Sequence, residues 1–226
     1  MPHYLSGFIV GLSQTIIGHP LDTLKVMIQN NTKLDPNTSK MQILKHYYKG
    51  WTFPLFSAMT YNGLLFNSYE YLRSNDNSII KNKNFLAGTI SGLMLSPYVF
   101  FVNKCKILQQ LNKPLTYKNI FNRYGIITNA VKEGTAVGIY FSGYNTLKND
   151  YSCHPLISGG LSGLLMWTVV YPIDSLRTRQ FASNINVYEA YSRGKLWVGY
   201  NVCAVRSVII SAFNFYVYEK CNQYLE

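Results

Sequence analysis

Four stretches of this chain, each about 20 residues long, contain no Asp, Glu, Lys or Arg. They are Met1–Leu21, Trp51–Tyr69, Asn84–Asn103 and Ser152–Ile173. Since a helix of about 20 apolar residues crosses a bilayer, each stretch is long enough to span one. Two further stretches, Tyr124–Tyr144 and Val198–Tyr218, carry charges only in their interior. We therefore predict an all-α membrane protein with six transmembrane helices in a single domain, residues 1–226.

The distribution of charge also favours a membrane protein. Charged residues make up 14% of the chain, against about 25% in soluble domains. The net charge of +11 can indicate nucleic acid, anionic lipid or an anionic solute as partner. Lys and Arg gather in the loops after the first and third spans, whereas a nucleic-acid binder would cluster them along one face. We expect contact with membrane lipid, cardiolipin being one candidate, and no nucleic acid polymer.

The cysteines and histidines do not indicate a catalytic or metal site. The four cysteines form no CxxC motif and no metal-ligand spacing with the four histidines. We find no pattern typical of a nucleophilic triad, a carboxylate pair or a phosphate-binding loop. The sequence therefore predicts no enzyme, no cofactor and no metal. A purely structural membrane protein is also disfavoured, because it would not need the ionic motifs described next.

One pattern recurs at fixed spacing in the first, third and fifth spans. Two glycines four residues apart precede a Pro-x-Asp-x-x-Lys/Arg motif in the first and last copies: Gly7, Gly11, Pro20, Asp22 and Lys25, then Gly159, Gly163, Pro172, Asp174 and Arg177. The middle copy keeps the spacing with different residues: Gly88, Gly92, Phe101, Asn103 and Lys106. Its Gln110 stands where the first copy has Gln29, and its proline, Pro97, lies one turn early. The glycines predict close helix packing, and the prolines predict kinks.

The even spans repeat without a gap. Nineteen residues separate a glycine from a tyrosine in Gly50–Tyr69, Gly125–Tyr144 and Gly199–Tyr218. Each tyrosine is followed by two polar or charged residues, one and four positions later. They are Glu70 and Arg73 after Tyr69, Asn145 and Lys148 after Tyr144, and Glu219 and Asn222 after Tyr218. We therefore predict three two-helix repeats at approximately residues 1–75, 82–150 and 153–226.

Together these motifs, with the aromatic-basic-glycine Tyr48-Lys49-Gly50, resemble the mitochondrial carrier family over essentially the whole chain. The resemblance implies six helices around a pseudo-threefold axis, a monomer, and alternating access to one central site. It also implies a multi-pass antiporter in the mitochondrial inner membrane that exchanges small anionic metabolites. The chain is short for this family, and its middle repeat departs most from the pattern.

The resemblance assigns ionic gates to both ends of the bundle. On the matrix side it implies pairs of Asp22 with Lys106 and of Asp174 with Lys25, while Asn103 offers Arg177 only a hydrogen bond. Gln29 and Gln110 belong to the same matrix gate. The implied cytosolic gate consists of Tyr69, Glu70, Arg73, Tyr144, Asn145, Lys148, Tyr218, Glu219 and Asn222. It is incomplete, because Asn145 and Asn222 replace one acid and one base.

Ionisable residues inside a span are costly and are functional by default. Ser57, Lys132 and Arg206 each stand seven residues after the glycine of an even span, roughly 10 Å inside the membrane. We predict that these residues and Glu133 bind the substrate at the midplane. Two alternatives stay open. Lys132 and Glu133 can instead belong to a loop before a shorter fourth helix, and Arg206 can snorkel to an interface.

The predicted substrate depends on two opposing indications. Two cations and one anion in the site favour an anionic or zwitterionic solute. The Lys132-Glu133 pair resembles carriers of amino or keto acids. The bias towards Asn, Tyr, Ile and Lys is typical of an AT-rich genome, such as that of a large DNA virus, for which nucleotide supply would be useful. We predict nucleotides or deoxynucleotides, with an amino acid or keto acid as the alternative.

Overall fold

A computed structural model describes residues 2–32, 39–74 and 83–210, and within these ranges all regular secondary structure is helical. The helices are α1 Pro2–Gln29, α2 Lys40–Tyr47, α3 Thr52–Ser74, α4 Lys83–Gln110, α5 Tyr117–Ile120, α6 Ile126–Asn145, α7 Pro155–Ser183, α8 Val187–Ser192 and α9 Tyr200–Ile210. A π-helical turn, Thr146–Asp150, continues α6. The short helices α2, α5 and α8 follow the long helices α1, α4 and α7, so one order of elements occurs three times.

Helices are present at each of the six predicted spans. Among the described residues, however, only α4 is long and apolar enough to cross a membrane by length and composition alone, and the described part of the last helix is shorter. The prediction counted only charged side chains as interruptions, whereas Tyr and Asn also lower the mean hydropathy of a span, as they do in the second span, which holds two of each.

Helix α6, Ile126–Asn145, covers nearly all of the fourth predicted span. Lys132 and Glu133 lie well inside α6, and the residues around them are helical. The alternative in which they belong to a loop is therefore wrong. Pro20, Pro97 and Pro172 likewise lie inside the continuous helices α1, α4 and α7.

Two apolar clusters lie at different levels of the bundle. One joins α1, α4 and α7 through Val26, Phe100, Ile107, Phe181 and Ala182. The other joins α3, α4 and α6 through Leu65, Tyr69, Ala87, Val137 and Phe141. Many large apolar side chains of α4, α6 and α7 instead face outward, among them Met94, Val131 and Leu165. An outward apolar surface is expected where lipid replaces water around the helices.

The closest helix packing is between α4 and α6, and it depends on glycine. A Cβ atom at Gly92 would lie 2.6 Å from the carbonyl oxygen of Glu133, and one at Gly88 would lie 2.9 Å from that of Val137. The backbones of α4 and α6 therefore touch, as the glycine spacing predicted. The matching pair in α7 behaves differently. A Cβ at Gly159 would be 3.9 Å from the Tyr140 hydroxyl, and one at Gly163 would meet no described atom within 4 Å.

Equivalent contacts tie each of α1, α4 and α7 to the loop that follows it. In each helix, the side chain of the residue that follows Asp22, Asn103 or Asp174 donates to a backbone carbonyl of the loop. The bonds are Thr23 to Tyr47 at 2.9 Å, Lys104 to Asn122 at 2.7 Å and Ser175 to Leu196 at 2.6 Å. Each accepting residue stands three positions before a loop glycine with positive φ, namely Gly50, Gly125 or Gly199. A side chain at these glycines would be strained, because L-residues rarely adopt this conformation.

Candidate functional site

A cavity of about 320 Å³ opens between α3, α4, α6 and α7. Ser57, Lys132 and Glu133 line it, so three of the four predicted substrate residues come together in space. The rest of its wall is mainly aromatic and aliphatic, and Asn103 also lines it. An apolar cavity with a few convergent polar groups is the usual form of a small-molecule site.

Lys132 and Glu133 form a buried ion pair at this cavity. Lys132 Nζ lies 2.8 Å from Glu133 Oε1, and the two side chains are 11% and 6% exposed. Tyr61 from α3 lines the same cavity. Lys132 Nζ lies 5.6 Å from the centre of the Trp167 ring, within the distance at which a cation is attracted by an aromatic face. The pair thus presents a cation and a carboxylate side by side in a low-dielectric wall.

Arg177 connects this pair to the matrix side of the bundle. Its guanidinium lies 2.6 Å from Asp174 Oδ1 and 3.5 Å from Glu133 Oε1, and it donates to Asn129 Oδ1 at 3.2 Å. The expected hydrogen bond to Asn103 is not among the contacts of the described residues. Glu133 and Asn129, both on α6, supply the oxygen atoms near Arg177 instead.

Both ion pairs that the family resemblance implied on the matrix side are present. Lys106 Nζ lies 2.6 Å from Asp22 Oδ2, and Lys25 Nζ lies 2.5 Å from Asp174 Oδ2. They join α1 to α4 and α1 to α7. Lys25 Nζ also lies 4.4 Å from the centre of the Trp167 ring. One aromatic ring thus lies close to Lys25 of a matrix-side pair and to Lys132 of the cavity.

Two glutamines support these pairs through neighbouring hydroxyl groups. Gln29 donates to Ser175 Oγ at 3.1 Å, and Gln110 donates to Thr23 Oγ1 at 3.0 Å. Both amides are buried. Each bond joins two of the long helices at the level of the ionic contacts, so the glutamines add cross-helix contacts to the matrix-side layer.

Arg206 is the fourth predicted substrate residue, and it lies elsewhere. It is not among the residues that line the cavity. Its Nε lies 2.5 Å from Asp22 Oδ1, and Nη2 donates to Asp22 Oδ2 at 3.3 Å. The Asp22 carboxylate therefore contacts Lys106 and Arg206 together. Since Arg206 pairs with a partly buried acid of α1, snorkelling to an interface is not its role in this structure.

The cavity and the matrix-side pairs together carry more positive than negative charge. The cations are Lys25, Lys106, Lys132, Arg177 and Arg206, and the carboxylates are Asp22, Glu133 and Asp174. The cluster thus has two positive charges in excess among the described residues. Such an excess attracts an anionic group, because a cation in a low-dielectric site binds carboxylate or phosphate strongly.

Polar groups at the cytosolic end are only partly connected. Asn145 donates to the Tyr69 hydroxyl at 3.0 Å, and Tyr69 donates to Asn84 at 3.1 Å. Glu70 pairs with Arg73 of its own helix at 3.5 Å, and both side chains are exposed. Lys148 lies over the Tyr144 ring at 5.6 Å. The remaining predicted gate residues, Tyr218, Glu219 and Asn222, lie outside the described residues.

Trp167, Asn129 and Arg179 were missing from the predicted site. Arg179 donates to the carbonyl oxygens of Ala190 and Gly194 at 3.0 and 2.7 Å and so fixes the loop around α8. A count of charged residues inside spans overlooks Trp167 and Asn129, since neither is ionisable. Asn129 stands one helical turn before Glu133, and that spacing would have placed it on the same face of α6.

Comparison with known proteins agrees with the ionic motifs. The family model for mitochondrial carrier proteins matches residues 1–75 and 148–226. The unmatched middle contains Phe101 and Asn103, where the repeated motif has lost its proline and its acid. The match therefore covers the first and third predicted repeats.

Curated relatives share this similarity over nearly full length. The chain is 26% identical to the glutamate/glycine mitochondrial carrier of Schizosaccharomyces pombe, covering 98% of this chain and 94% of the relative. It is 24% identical to the mitochondrial arginine transporter of Arabidopsis thaliana, covering 96% and 88%. It is 25% identical to the human mitochondrial basic amino acids transporter, covering 80% and 72%.

Proposed function

The chain belongs to the mitochondrial carrier family, and from this we propose that it exchanges amino acids across the mitochondrial inner membrane by alternating access. As a member of this family it is a transporter rather than an enzyme, and a multi-pass protein of the mitochondrial inner membrane. The expectation of nucleotide cargo is not supported, because the relatives described above are named for amino acids.

The proposed architecture is six transmembrane helices in three repeats, at approximately residues 1–75, 82–150 and 153–226. The equivalent contacts from α1, α4 and α7 to the three following loops support this proposal, as do the positive φ values at Gly50, Gly125 and Gly199. A single two-helix unit cannot bury its ionic and glycine-lined faces alone. Three units around one axis would cover them.

The observation that carries the amino acid proposal is the Lys132–Glu133 pair on the cavity wall, with its atoms 2.8 Å apart. An amino acid bears a carboxylate and an ammonium group on one carbon atom. Lys132 would bind the carboxylate and Glu133 the ammonium group, so the cargo would replace one ion pair with two. A keto acid would satisfy Lys132 but leave Glu133 without a new partner. The cavity volume of about 320 Å³ also suits a solute of this size.

The surrounding residues take the following roles in the proposal. Ser57 and Arg206 complete the binding site with Lys132 and Glu133. The matrix gate comprises Asp22, Lys25, Gln29, Asn103, Lys106, Gln110, Asp174 and Arg177. The cytosolic gate comprises Tyr69, Glu70, Arg73, Tyr144, Asn145 and Lys148, with Tyr218, Glu219 and Asn222 as its third part.

Exchange in liposomes tests the function. Purified protein would be reconstituted with internal glutamate, glycine, arginine or lysine, and uptake of the labelled solutes would be measured against ATP and dATP. We expect exchange of at least one amino acid and none of the nucleotides. Exchange confined to nucleotides, or no exchange at all, would contradict the proposal.

The same assay tests the site. Lys132→Ala should lower amino acid exchange at least tenfold, which corresponds to about 1.4 kcal/mol of lost binding or transition-state free energy. Lys45→Ala is the matched control, because Lys45 is an exposed lysine of α2. If both variants exchange normally, Lys132 does not bind the cargo.

A further inference from the structure

The matrix-side ring contains three cations but only two acids of its own. Lys106 pairs with Asp22 and Lys25 pairs with Asp174, so each cation takes the acid of the repeat before it in cyclic order. By the same order Arg177 requires an acid at position 103. Asn103 stands there. An amide carries no charge, so the ring alone leaves the third cation without an acid of its own.

Glu133 stands where it can neutralise that cation. Its Oε1 lies 3.5 Å from Arg177 Nη1, and only 6% of its side chain is exposed. Glu133 and Asn103 line the same cavity. Asp174, the other acid near Arg177, already holds Lys25 through its second oxygen. A buried cation without a counter-charge is strongly destabilising. Asp174, at 2.6 Å from Arg177, is shared with Lys25, and Glu133, at 3.5 Å, is the second acid beside Arg177.

We propose that Glu133 is the third acid of the matrix gate and is supplied by the cargo site. Cargo binding and gate opening then depend on one carboxylate. An ammonium group that binds Glu133 competes with Arg177, weakens the contact of Arg177 with α6, and loosens the gate. A carboxylate without an ammonium group does not compete for Glu133. Glu133 is therefore a specificity-determining residue that restricts transport to solutes with an ammonium group.

Thermal unfolding of the purified protein tests the gate role without any cargo. Glu133→Gln should lower Tm by about 5 °C or more, because it leaves Arg177 with an incomplete counter-charge. Asn103→Asp restores an acid to the ring position. In the Glu133→Gln background it should recover at least half of the lost Tm. Glu133 is not the missing acid if Asn103→Asp changes Tm equally in the wild-type protein and in the Glu133→Gln variant. The same conclusion holds if Glu133→Gln fails to fold and Asn103→Asp does not restore folding.

A second pair of variants separates the two partners of Glu133, since Lys132 shares the same oxygen atom. If Glu133 serves mainly to neutralise Lys132, removing both charges should return Tm to the wild-type value. We expect instead that Lys132→Gln combined with Glu133→Gln remains at least 3 °C below wild type, about half of the loss expected for the single variant. Recovery to the wild-type Tm would overturn the proposal.

The cargo role rests on the proposed function and needs transport. Glutamate and 2-oxoglutarate share both carboxylates and differ in the ammonium group, and arginine provides a second amino acid. We expect exchange of an amino acid at least tenfold faster than that of 2-oxoglutarate. Equal rates would overturn the cargo role. Suppose that no amino acid is exchanged but the effect of Asn103→Asp on Tm depends on the residue at position 133. The proposed function then falls and the gate role stands. If an amino acid is exchanged but the two substitutions change Tm independently, the gate role falls and the proposed function stands.

Discussion

Arg206 is the second cation that contacts the Asp22 carboxylate. Its Nε lies 2.5 Å from Asp22 Oδ1, and the Lys106 ammonium group lies 2.6 Å from Asp22 Oδ2. One carboxylate neutralises only one of these two cations. Under the proposed function, the remaining positive charge would bind an anionic cargo group that reaches this side of the site. Asp22 would then stay paired with Lys106, so binding would not leave the acid unpaired.

Removal of Arg206 should therefore affect transport more than stability. Arg206→Ala leaves the contact between Asp22 and Lys106 in place, and we expect Tm to fall by no more than about 3 °C. Exchange of the amino acid cargo should fall at least tenfold. Arg193→Ala is the control, because Arg193 is an exposed arginine of the loop after α8. Normal exchange by the Arg206 variant would remove it from the binding site.

Lys132 and Glu133 can be found from sequence as charged residues in an apolar span, whereas the contact of Glu133 with Arg177 cannot. Lys132 and Glu133 stand out because such side chains are rare in a span. The contact of Arg177 with Glu133 depends on how α6 and α7 face one another, which no local spacing encodes. Asn129 was overlooked for a related reason, since a neutral amide is conspicuous only once its buried partner is known.

At the scale of helices, sequence spacing predicted element positions well and contacts less well. The glycine pairs of α4 and α7 follow one pattern, yet only Gly88 and Gly92 meet a neighbouring backbone in the described structure. A glycine pattern indicates where the backbones of two helices can approach each other closely. Whether they do depends on the partner, and α6 brings glycines of its own, Gly134 and Gly138, against α4.

This difference gives a paired test. Gly92→Ala would place a Cβ 2.6 Å from the Glu133 carbonyl oxygen, so α4 and α6 must separate, at a cost of about 1–3 kcal/mol. We expect a lower Tm and slower exchange. Gly163→Ala has space for its Cβ among the described residues and should be neutral or slightly stabilising, because Ala favours helix more than Gly does. Equal Tm values for both variants would contradict the close packing of α4 on α6.

At the scale of the molecule, ionic contacts of the described residues join different helices at the predicted matrix side, whereas the ion pair at the predicted cytosolic side lies within one helix. Lys106–Asp22 and Lys25–Asp174 join three helices, whereas Glu70 pairs within α3. If the proposed gates operate, we expect this arrangement in a carrier closed towards the matrix. In the opposite state, Glu70 would be released from Arg73 to meet Lys148 at the end of α6.

A reversible cross-link tests this expectation. A disulfide requires Cα atoms within about 7 Å of each other, so Glu70→Cys combined with Lys148→Cys should cross-link only when the cytosolic ends approach. Oxidation should lower exchange at least tenfold, and a reductant should restore it. Each single variant controls for the native cysteines. Full exchange by completely cross-linked protein would show that these ends do not separate during transport.

The π turn at Thr146–Asp150 adds a rotational element to this end of the molecule. Its backbone bonds reach one residue further than those of an α-helix, so each residue advances less around the axis. Lys148 therefore points in a different direction from the one that an uninterrupted α6 would give it. If this turn rewound to α-helical geometry, the lysine would swing around the helix while the axis of α6 stayed still. The direction of the Lys148 charge is thus set by the backbone geometry of this one turn and does not require α6 to move.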